Sequence, residues 1–266
     1  MGKKSTWLLA ALGALPVVLA ALGHVSREAA EPLLHHKYAH RGLHEKDKSV
    51  PENSLAAFAR ACEAGYGMEL DVQLSADGQV VVFHDDDLKR VCGVEKDVCE
   101  LTFDELRELR LCGTEERIPL FTEVLELVAG RTPMIVELKS GGRNDELCEK
   151  TLEILRGYDG VYCIESFNPA IVAWFRKHAP QIVRGQLAMQ RDQYDPQLMG
   201  GLGPYLLSNT CLNVIARPHF IAYRVGRKAP LVKLAELMGV LRAGWTIRDP
   251  KDEEGFDIVI FEFYKA

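Results

Sequence analysis

The 266-residue sequence contains no Cys-x-x-Cys pair, and its seven cysteines (Cys62, Cys92, Cys99, Cys112, Cys148, Cys163 and Cys211) are scattered and odd in number. That pattern excludes a zinc knuckle, a dithiol redox motif and a disulfide framework. Most of these cysteines fall inside helical or strand patterns, where a thiol behaves as a small buried hydrophobe. Cys92 and Cys99 alone flank a short loop that an oxidising compartment could bridge. An excess of positive charge is also missing. There are 32 Lys and Arg against 38 Asp and Glu, giving a net charge of −6 and a pI of about 5.8, so there is no basic footprint for nucleic acid. Without Lys3 and Lys4 the balance is 30 against 38, or −8, which disfavours electrostatic adhesion of the protein body to an anionic membrane surface. Disorder and collagen-like repetition are excluded by an ordinary globular mixture of 47% hydrophobic and 26% charged residues.

Charge of either sign is absent between Lys4 and Arg27, and Trp7–Gly23 is apolar throughout. At about 1.5 Å per residue, an 18-residue helix reaches about 27 Å, enough for a bilayer core. Two lysines before an apolar run also describe a signal peptide, and Ala21 and Gly23 supply a small-x-small pair for a peptidase. Residues 1–23 therefore read as a membrane anchor, with a cleaved and secreted form as the alternative, and Pro16 kinks such a helix without forbidding it. Lys3 and Lys4 favour an inside N-terminus, which puts the remaining chain outside the cytoplasm. Residues 24–36 read as a polar tether.

From Lys37 onward there is no internal repeat, low-complexity tract or long linker, so residues 37–266 read as one domain. The whole length equals about 1.8 nominal domains of roughly 150 residues, but α/β barrels run to about 250 residues as a single domain. Eight short apolar runs alternate with helical patterns. The runs are 38–40, 68–71, 134–138, 162–166, 183–187, 220–223, 243–247 and 257–261. The helical stretches are Ser54–Ala64 behind an Asn53 cap, 122–128, 145–156, Pro169–His178 and 231–240. This alternation predicts parallel βαβ units closed into an α/β TIM (β/α)8 barrel. Residues 68–84 break the alternation with a strand, Ser-Ala-Asp-Gly and a second strand, which predicts a β-hairpin turning on Asp77-Gly78. A two-residue turn there places Asp71 opposite His84, with Glu69 on the face of Asp71.

The ends of the successive strand candidates carry chemistry. The first ends in Ala39-His40-Arg41-Gly42, the second carries Glu69-Leu70-Asp71, the hairpin return ends in Phe83-His84-Asp85, and the next parallel strand holds Glu137-Leu138-Lys139. A barrel gathers such strand ends on one face. Glu69, Asp71 and Glu137 form a hard oxygen set suited to one divalent cation, Mg²⁺ or Ca²⁺, which would relieve their mutual repulsion. Arg41 offers a fork and Lys139 a point charge for phosphate oxygens. His40 and His84 form an acid/base pair. His35, His36 and His44 read as exposed, and Glu52 either complements a helix dipole or reaches the site from beside the cap.

These residues sit in stretches that resemble the glycerophosphodiester phosphodiesterase family, of the membrane-anchored bacterial kind. Besides the strand ends, the matching stretches are Pro51-Glu52-Asn53-Ser54, Ser166-Phe167 and Trp245-Thr246, in family order over roughly residues 38–262. The resemblance implies a TIM barrel with a small hairpin insertion and one divalent cation. It also implies hydrolysis of glycerophosphodiesters to sn-glycerol 3-phosphate and an alcohol. Carried over residue by residue, it makes His40 and His84 catalytic, Glu69, Asp71 and Glu137 the metal ligands, and Arg41 and Lys139 the phosphate contacts. Phe167 and Trp245 become apolar walls beside the glycerol. Two departures stand out: Asp249–Gly255 is too short for a full helix before the closing strand, and that strand ends in Glu262. The same site on a tethered enzyme also suits lysophospholipids or polyglycerolphosphate chains. A reading of another class is a non-catalytic, membrane-tethered barrel for a phosphorylated ligand, against which the intact His40, His84 and carboxylates argue.

Overall fold

Eight strands of alternating inward and outward side chains close on themselves in the computed structural model, which describes residues 27–266. The strands are β1 (Lys37–Ala39), β2 (Gly67–Leu74), β4 (Met134–Leu138), β5 (Tyr162–Ser166), β6 (Arg184–Ala188), β7 (Phe220–Arg224), β8 (Leu241–Ile247) and β9 (Ile258–Phe261). All neighbouring pairs among them are parallel, and β1 closes the ring by pairing with both β2 and β9. The ninth strand, β3 (Val80–Val82), is antiparallel to β2 and outside the ring. The architecture is a TIM-barrel-like α/β fold, as the alternation of apolar runs predicts.

The period of two along each strand divides the core into two shells. Met68, Leu70, Met134, Val136 and Ile164 face outward under the helices α2 (Leu55–Glu63), α5 (Phe121–Val128), α6 (Asn144–Arg156) and α7 (Pro169–His178). Tyr38, Ile135, Cys163, Phe220, Ala243 and Ile258 fill the barrel interior. Gly185 makes room there: a Cβ on it would lie 2.1 Å from the Phe220 ring. The lower end is covered by α1 (Arg27–Leu34), whose Ala30 and Leu33 are buried and whose Leu33 carbonyl accepts a 2.8 Å hydrogen bond from Tyr38 Oη. A polar tether is expected over 24–36; its described part is largely this helix, because Ala30 and Leu33 share one face. Residues 1–23, expected to be an anchor or signal peptide, lie outside the described residues. Among the described residues no helix is long and apolar enough to cross a membrane.

The hairpin forms with a three-residue loop instead of two. Ser75 N donates to Gln79 O at 3.0 Å, Gly78 takes a φ of 77°, and Val72 pairs with Val82. Asp77 is held in the loop by Ser75 Oγ at 2.6 Å and Phe103 N at 3.0 Å. The extra residue shifts the register by one, so that Phe83, not His84, bonds to Asp71 through its backbone at 3.0 Å. The insertion is also more than a hairpin. Residues 83–120 include α3 (Lys89–Cys92) and α4 (Phe103–Arg107) around their own core of Phe83, Leu88, Val98, Leu106 and Ile118. Cys92 and Cys99 in this segment are free thiols, as are the other five cysteines. Between β6 and β7 the usual helix is replaced by an irregular excursion with two short helices, α8 (Gly203–Ser208) and α9 (Asn213–Ala216). After α10 (Pro230–Leu237), β8 and β9 are joined by a single 3-10 turn, Pro250–Glu253.

Candidate active site

The strand period that fills the barrel with apolar groups below brings polar ones above. Tyr38 is followed two residues on by His40, Ile135 by Glu137, and Cys163 by Glu165, while Glu69 and Asp71 share the inward face of β2. One small cavity of about 30 Å³ is lined by His40, Arg41, Glu69, His84, Glu137, Phe167 and Trp245, with Asp71 fully buried beneath. Lys139 borders it, with Nζ 2.9 Å from Glu137 Oε1 and 3.4 Å from Asp71 Oδ1. All nine residues expected at the site are therefore gathered at the carboxyl ends of the strands.

Glu69, Asp71 and Glu137 each offer an oxygen within 4.8 Å of the others. Burial, and then the neighbouring carboxylates, push Glu69 well up; burial, outweighing Lys139, also raises Glu137. Asp71 is held down despite its burial, by the charges of His84, Lys139 and Arg41 and a 2.8 Å hydrogen bond from Asn53 Nδ2. Its Oδ1 has no hydrogen-bond partner. A buried, hard, mutually repelling oxygen trio with an orphaned acceptor fits a divalent cation. Glu165, paired with Glu137 across β4 and β5, adds a fourth carboxyl that burial pushes well up, with Oε2 unpartnered.

Arg41 stands in the left-handed region (φ 56°), which turns its backbone N toward Glu69 Oε2 at 2.9 Å. Gly42 follows at φ 79°, and a Cβ on it would strike Ala57 at 2.9 Å. The Arg41 guanidinium donates to Glu52 Oε1 at 2.7 Å, and its Nε lies 3.7 Å from Asp71 Oδ2. Asn53, expected as the helix cap, also has positive φ (53°); the cap is Ser54, whose Oγ accepts from Ala57 N at 3.1 Å. The helix starts one residue later because the Asn53 side chain is taken up by Asp71.

Both histidines are held by carboxylates. His40 Nδ1 donates to Glu262 Oε1 at 3.2 Å, and its Nε2 lies 4.0 Å from Glu69 Oε2. The tautomer follows from the partner, because a carboxylate only accepts. Burial lowers the His40 imidazole to about 4 against the opposing pull of Glu262, so it is neutral near pH 7. Glu262 opposes its own burial with hydrogen bonds from His40, from His44 Nε2 at 3.2 Å and from Arg248 Nε at 2.7 Å, which hold it well below the usual carboxylate range. His44, expected to be exposed, has a side chain only 8% exposed because Glu262 and the edge of Phe263 enclose it. On the other side, His84 Nδ1 lies 2.7 Å from Asp85 Oδ1, and Arg90 from α3 bonds to Asp85 and, with two nitrogens, to Glu52. An ionic chain, Arg41–Glu52–Arg90–Asp85–His84, thus links the first strand end to the insertion. Sequence reasoning left Glu262, His44, Asn53, Glu165 and Arg90 without a role at the site. The ending of the closing strand in Glu262 was the one visible signal.

Phe167 and Trp245 pack edge to face at 5.5 Å, and Trp245 Nε1 donates to Ala222 O at 2.9 Å. Cationic side chains beside a carboxylate trio that could hold a divalent ion, on the rim where this fold places its chemistry, fit an enzyme class acting on phosphate esters. Comparison with known proteins narrows that class. The model of the glycerophosphoryl diester phosphodiesterase family matches residues 40–260. The chain belongs to that family. It is 37% identical over 164 residues to a glycerophosphodiester phosphodiesterase of Caldanaerobacter subterraneus subsp. tengcongensis, a match covering 56% of this chain and 65% of the relative. Among solved structures, the Thermotoga maritima glycerophosphodiester phosphodiesterase is 28% identical, with a TM-score of 0.63 over 85% of this chain and 95% of that one. An Oleispira antarctica phosphodiesterase in complex with its product sn-glycerol-3-phosphate shares the fold at 24% identity, with a TM-score of 0.71 over 88% and 94% of the two chains.

Proposed function

We propose that this chain hydrolyses glycerophosphodiesters to sn-glycerol 3-phosphate and an alcohol. The observation that carries the reading is the placement of two carboxylate-held histidines and two phosphate-binding cations around one buried carboxylate trio. Glu69, Asp71 and Glu137 would hold one divalent cation, Mg²⁺ or Ca²⁺, which when bound supplies Lewis-acid neutralisation of the phosphoryl oxygens. Arg41, fixed by Glu52, and Lys139 bind the remaining phosphate charge. Phe167 and Trp245 pack against the glycerol carbons. Neutral His40 takes the proton of the attacking oxygen at Nε2 while Glu262 stabilises the imidazolium formed. His84, oriented through Nδ1 by Asp85, gives a proton from Nε2 to the departing alkoxide. The attacking oxygen is that of water, or the glycerol 2-hydroxyl with water opening the cyclic phosphate in a second step.

Purified protein incubated with glycerophosphocholine and Mg²⁺ or Ca²⁺ is expected to release glycerol 3-phosphate, and a chelator is expected to stop the release. Chelator-insensitive turnover would remove the cation from the mechanism, and no turnover on several headgroups would favour a phospho-ligand-binding barrel. The His84→Ala variant should lose about 10²–10⁴-fold in rate with its circular dichroism unchanged. The apolar run in residues 1–23 further supports attachment to the membrane with the barrel outside the cytoplasm. Recovery of the full chain in the soluble fraction with residues 1–23 still present would contradict attachment.

A further inference from the structure

Two groups of three metal-capable side chains stand out among the described residues: the carboxylate trio, and a second set of His40, His44 and Glu262 whose ligand atoms also lie within 4.8 Å of one another. The second set is built on strand ends. Ala39 pairs with Phe261 across β1 and β9, and His40 N donates to Phe261 O at 2.9 Å, so His40 and Glu262 leave adjacent strands side by side. Arg41 (φ 56°) and Gly42 (φ 79°) are both left-handed, and the tight turn they make brings His44 back to the same carboxylate. One oxygen, Glu262 Oε1, then accepts from His40 Nδ1 and from His44 Nε2, each at 3.2 Å. Ligands of a tetrahedral zinc ion with bonds of about 2.0–2.1 Å stand roughly 3.3 Å apart, so both nitrogens already keep a ligand's spacing from the oxygen. Arg248 Nε donates to the other oxygen, Oε2, at 2.7 Å and keeps Oε1 turned toward the imidazoles. Its charge opposes a cation, but the Arg248 side chain is 61% exposed and solvent screens it.

We propose that His40, His44 and Glu262 bind Zn²⁺ and that the bound ion switches the enzyme off. The inference rests on the phosphodiesterase reading above, in which His40 takes a proton at Nε2. Two imidazole nitrogens and one carboxylate oxygen are a zinc set, whereas Mg²⁺ and Ca²⁺ prefer the all-oxygen trio, so the two sites sort ions by ligand type. A neutral imidazole carries one proton. When Nδ1 of His40 gives its lone pair to zinc, that proton moves to Nε2, and His44 likewise moves its proton from Nε2 to Nδ1. Nothing is oxidised or reduced, and no co-reactant is needed. With Nε2 protonated, His40 has no lone pair left for the proton of the attacking oxygen. Glu262, now a zinc ligand, no longer accepts from Nδ1. Zinc thus acts from the Glu262 edge of the ring, opposite the Nε2 that faces Glu69 at 4.0 Å, and does not enter the carboxylate trio.

The test uses the full chain and two readouts. In the first, the Asp71→Asn protein, whose trio is weakened, is titrated with Co²⁺ as a coloured stand-in and then with Zn²⁺. One Co²⁺ per chain with the visible absorption of a tetrahedral site is expected, and Zn²⁺ should displace it. Adding His44→Gln, which keeps an N–H toward Glu262, or His44→Ala should weaken binding by about tenfold or more. In the second, Zn²⁺ is added during turnover of glycerophosphocholine with saturating Mg²⁺ or Ca²⁺. Inhibition is expected to persist when Mg²⁺ or Ca²⁺ is raised about tenfold, and each His44 variant should need about tenfold or more Zn²⁺, measured against its own zinc-free rate. Inhibition relieved by the added Mg²⁺ or Ca²⁺ would place zinc in the trio and overturn the site. Zinc bound through His44 without inhibition would overturn the switch. Turnover with metal binding unaltered in both His44 variants would overturn the zinc site and leave the phosphodiesterase reading standing. Binding through His44 in a protein that turns over no diester would overturn that reading, and the switch with it.

Discussion

In the proposed mechanism, Glu262 is the residue on which the chemistry of His40 depends. Its carboxylate fixes the imidazole tautomer and is itself held ionised by His40, His44 and Arg248. Glu262→Gln keeps the size of the side chain but lets its amide bond to His40 in either orientation, so kcat should fall about 10²-fold with KM for glycerophosphocholine little changed. Steady-state kinetics check this, and an unchanged kcat would remove Glu262 from the mechanism. Glu52 makes a separate prediction about acid stability. Burial works against its charge, but Arg90 and Arg41 outweigh it and set the carboxyl at about 2 in the folded protein. A folded value below the ordinary one gives stabilisation that is complete above about pH 4.5 and lost as the pH falls toward 2. Glu52→Gln should therefore flatten the decline of the urea midpoint between those values, by roughly 1–3 kcal/mol of unfolding free energy in total. A slope equal to that of the unaltered protein would contradict the pairing. Single-residue detail of this kind was only partly legible in the sequence. Glu69, Asp71, Glu137 and His40 stand where a period of two along their strands places them, whereas His84 joins from beyond the end of β3. Glu262 meets His40 and His44, and Arg90 meets Glu52, across long stretches of chain that no local pattern connects.

At the scale of elements, strands were easier to read than the segments between them. The apolar runs match the ring strands because both barrel faces are covered, and covered strands are nearly continuous apolar stretches. The hairpin register was off by one, since a Gly at positive φ serves a three-residue loop as well as a two-residue one. His84 nevertheless joins the site, because β3 ends at Val82 and the chain turns out of the ladder before His84. The helices α3 and α4 of the insertion are too short to show a period, so the small core at 83–120 was not visible. From that insertion, Arg90 on α3 grips both Asp85 and Glu52. Arg90→Ala should lower kcat by about 10-fold with KM little changed, while the melting temperature changes little. An unaltered kcat would reduce Arg90 to a surface ion pair. In the barrel wall, Gly185→Val should destabilise by about 1–3 kcal/mol, read as a lower denaturation midpoint, because the added carbons meet the Phe220 ring.

For the whole molecule, the acidity of the sequence takes on a specific meaning. The formal charge of −6 includes carboxylates buried at one end of a barrel, where burial and the neighbouring carboxylates push Glu69 up and burial raises Glu137. Folding brings these groups together against their repulsion, so a divalent cation that binds only the folded state should raise the melting temperature. The increment should vanish in Asp71→Asn; its persistence there would place the cation elsewhere. The excursion between β6 and β7 and an apolar cavity beside Phe167 enlarge the same barrel end on the side opposite the His84 insertion. Hydrolysis at phosphorus is tested by turning over glycerophosphocholine in heavy-oxygen water with a saturating divalent cation, with phosphorus NMR of the phosphate product and mass spectrometry of the choline. The label is expected to enter glycerol 3-phosphate, choline to leave unlabelled, and chelation or His84→Ala to suppress the reaction. Label appearing in choline, or turnover at full rate in the chelated His84→Ala protein, would contradict it.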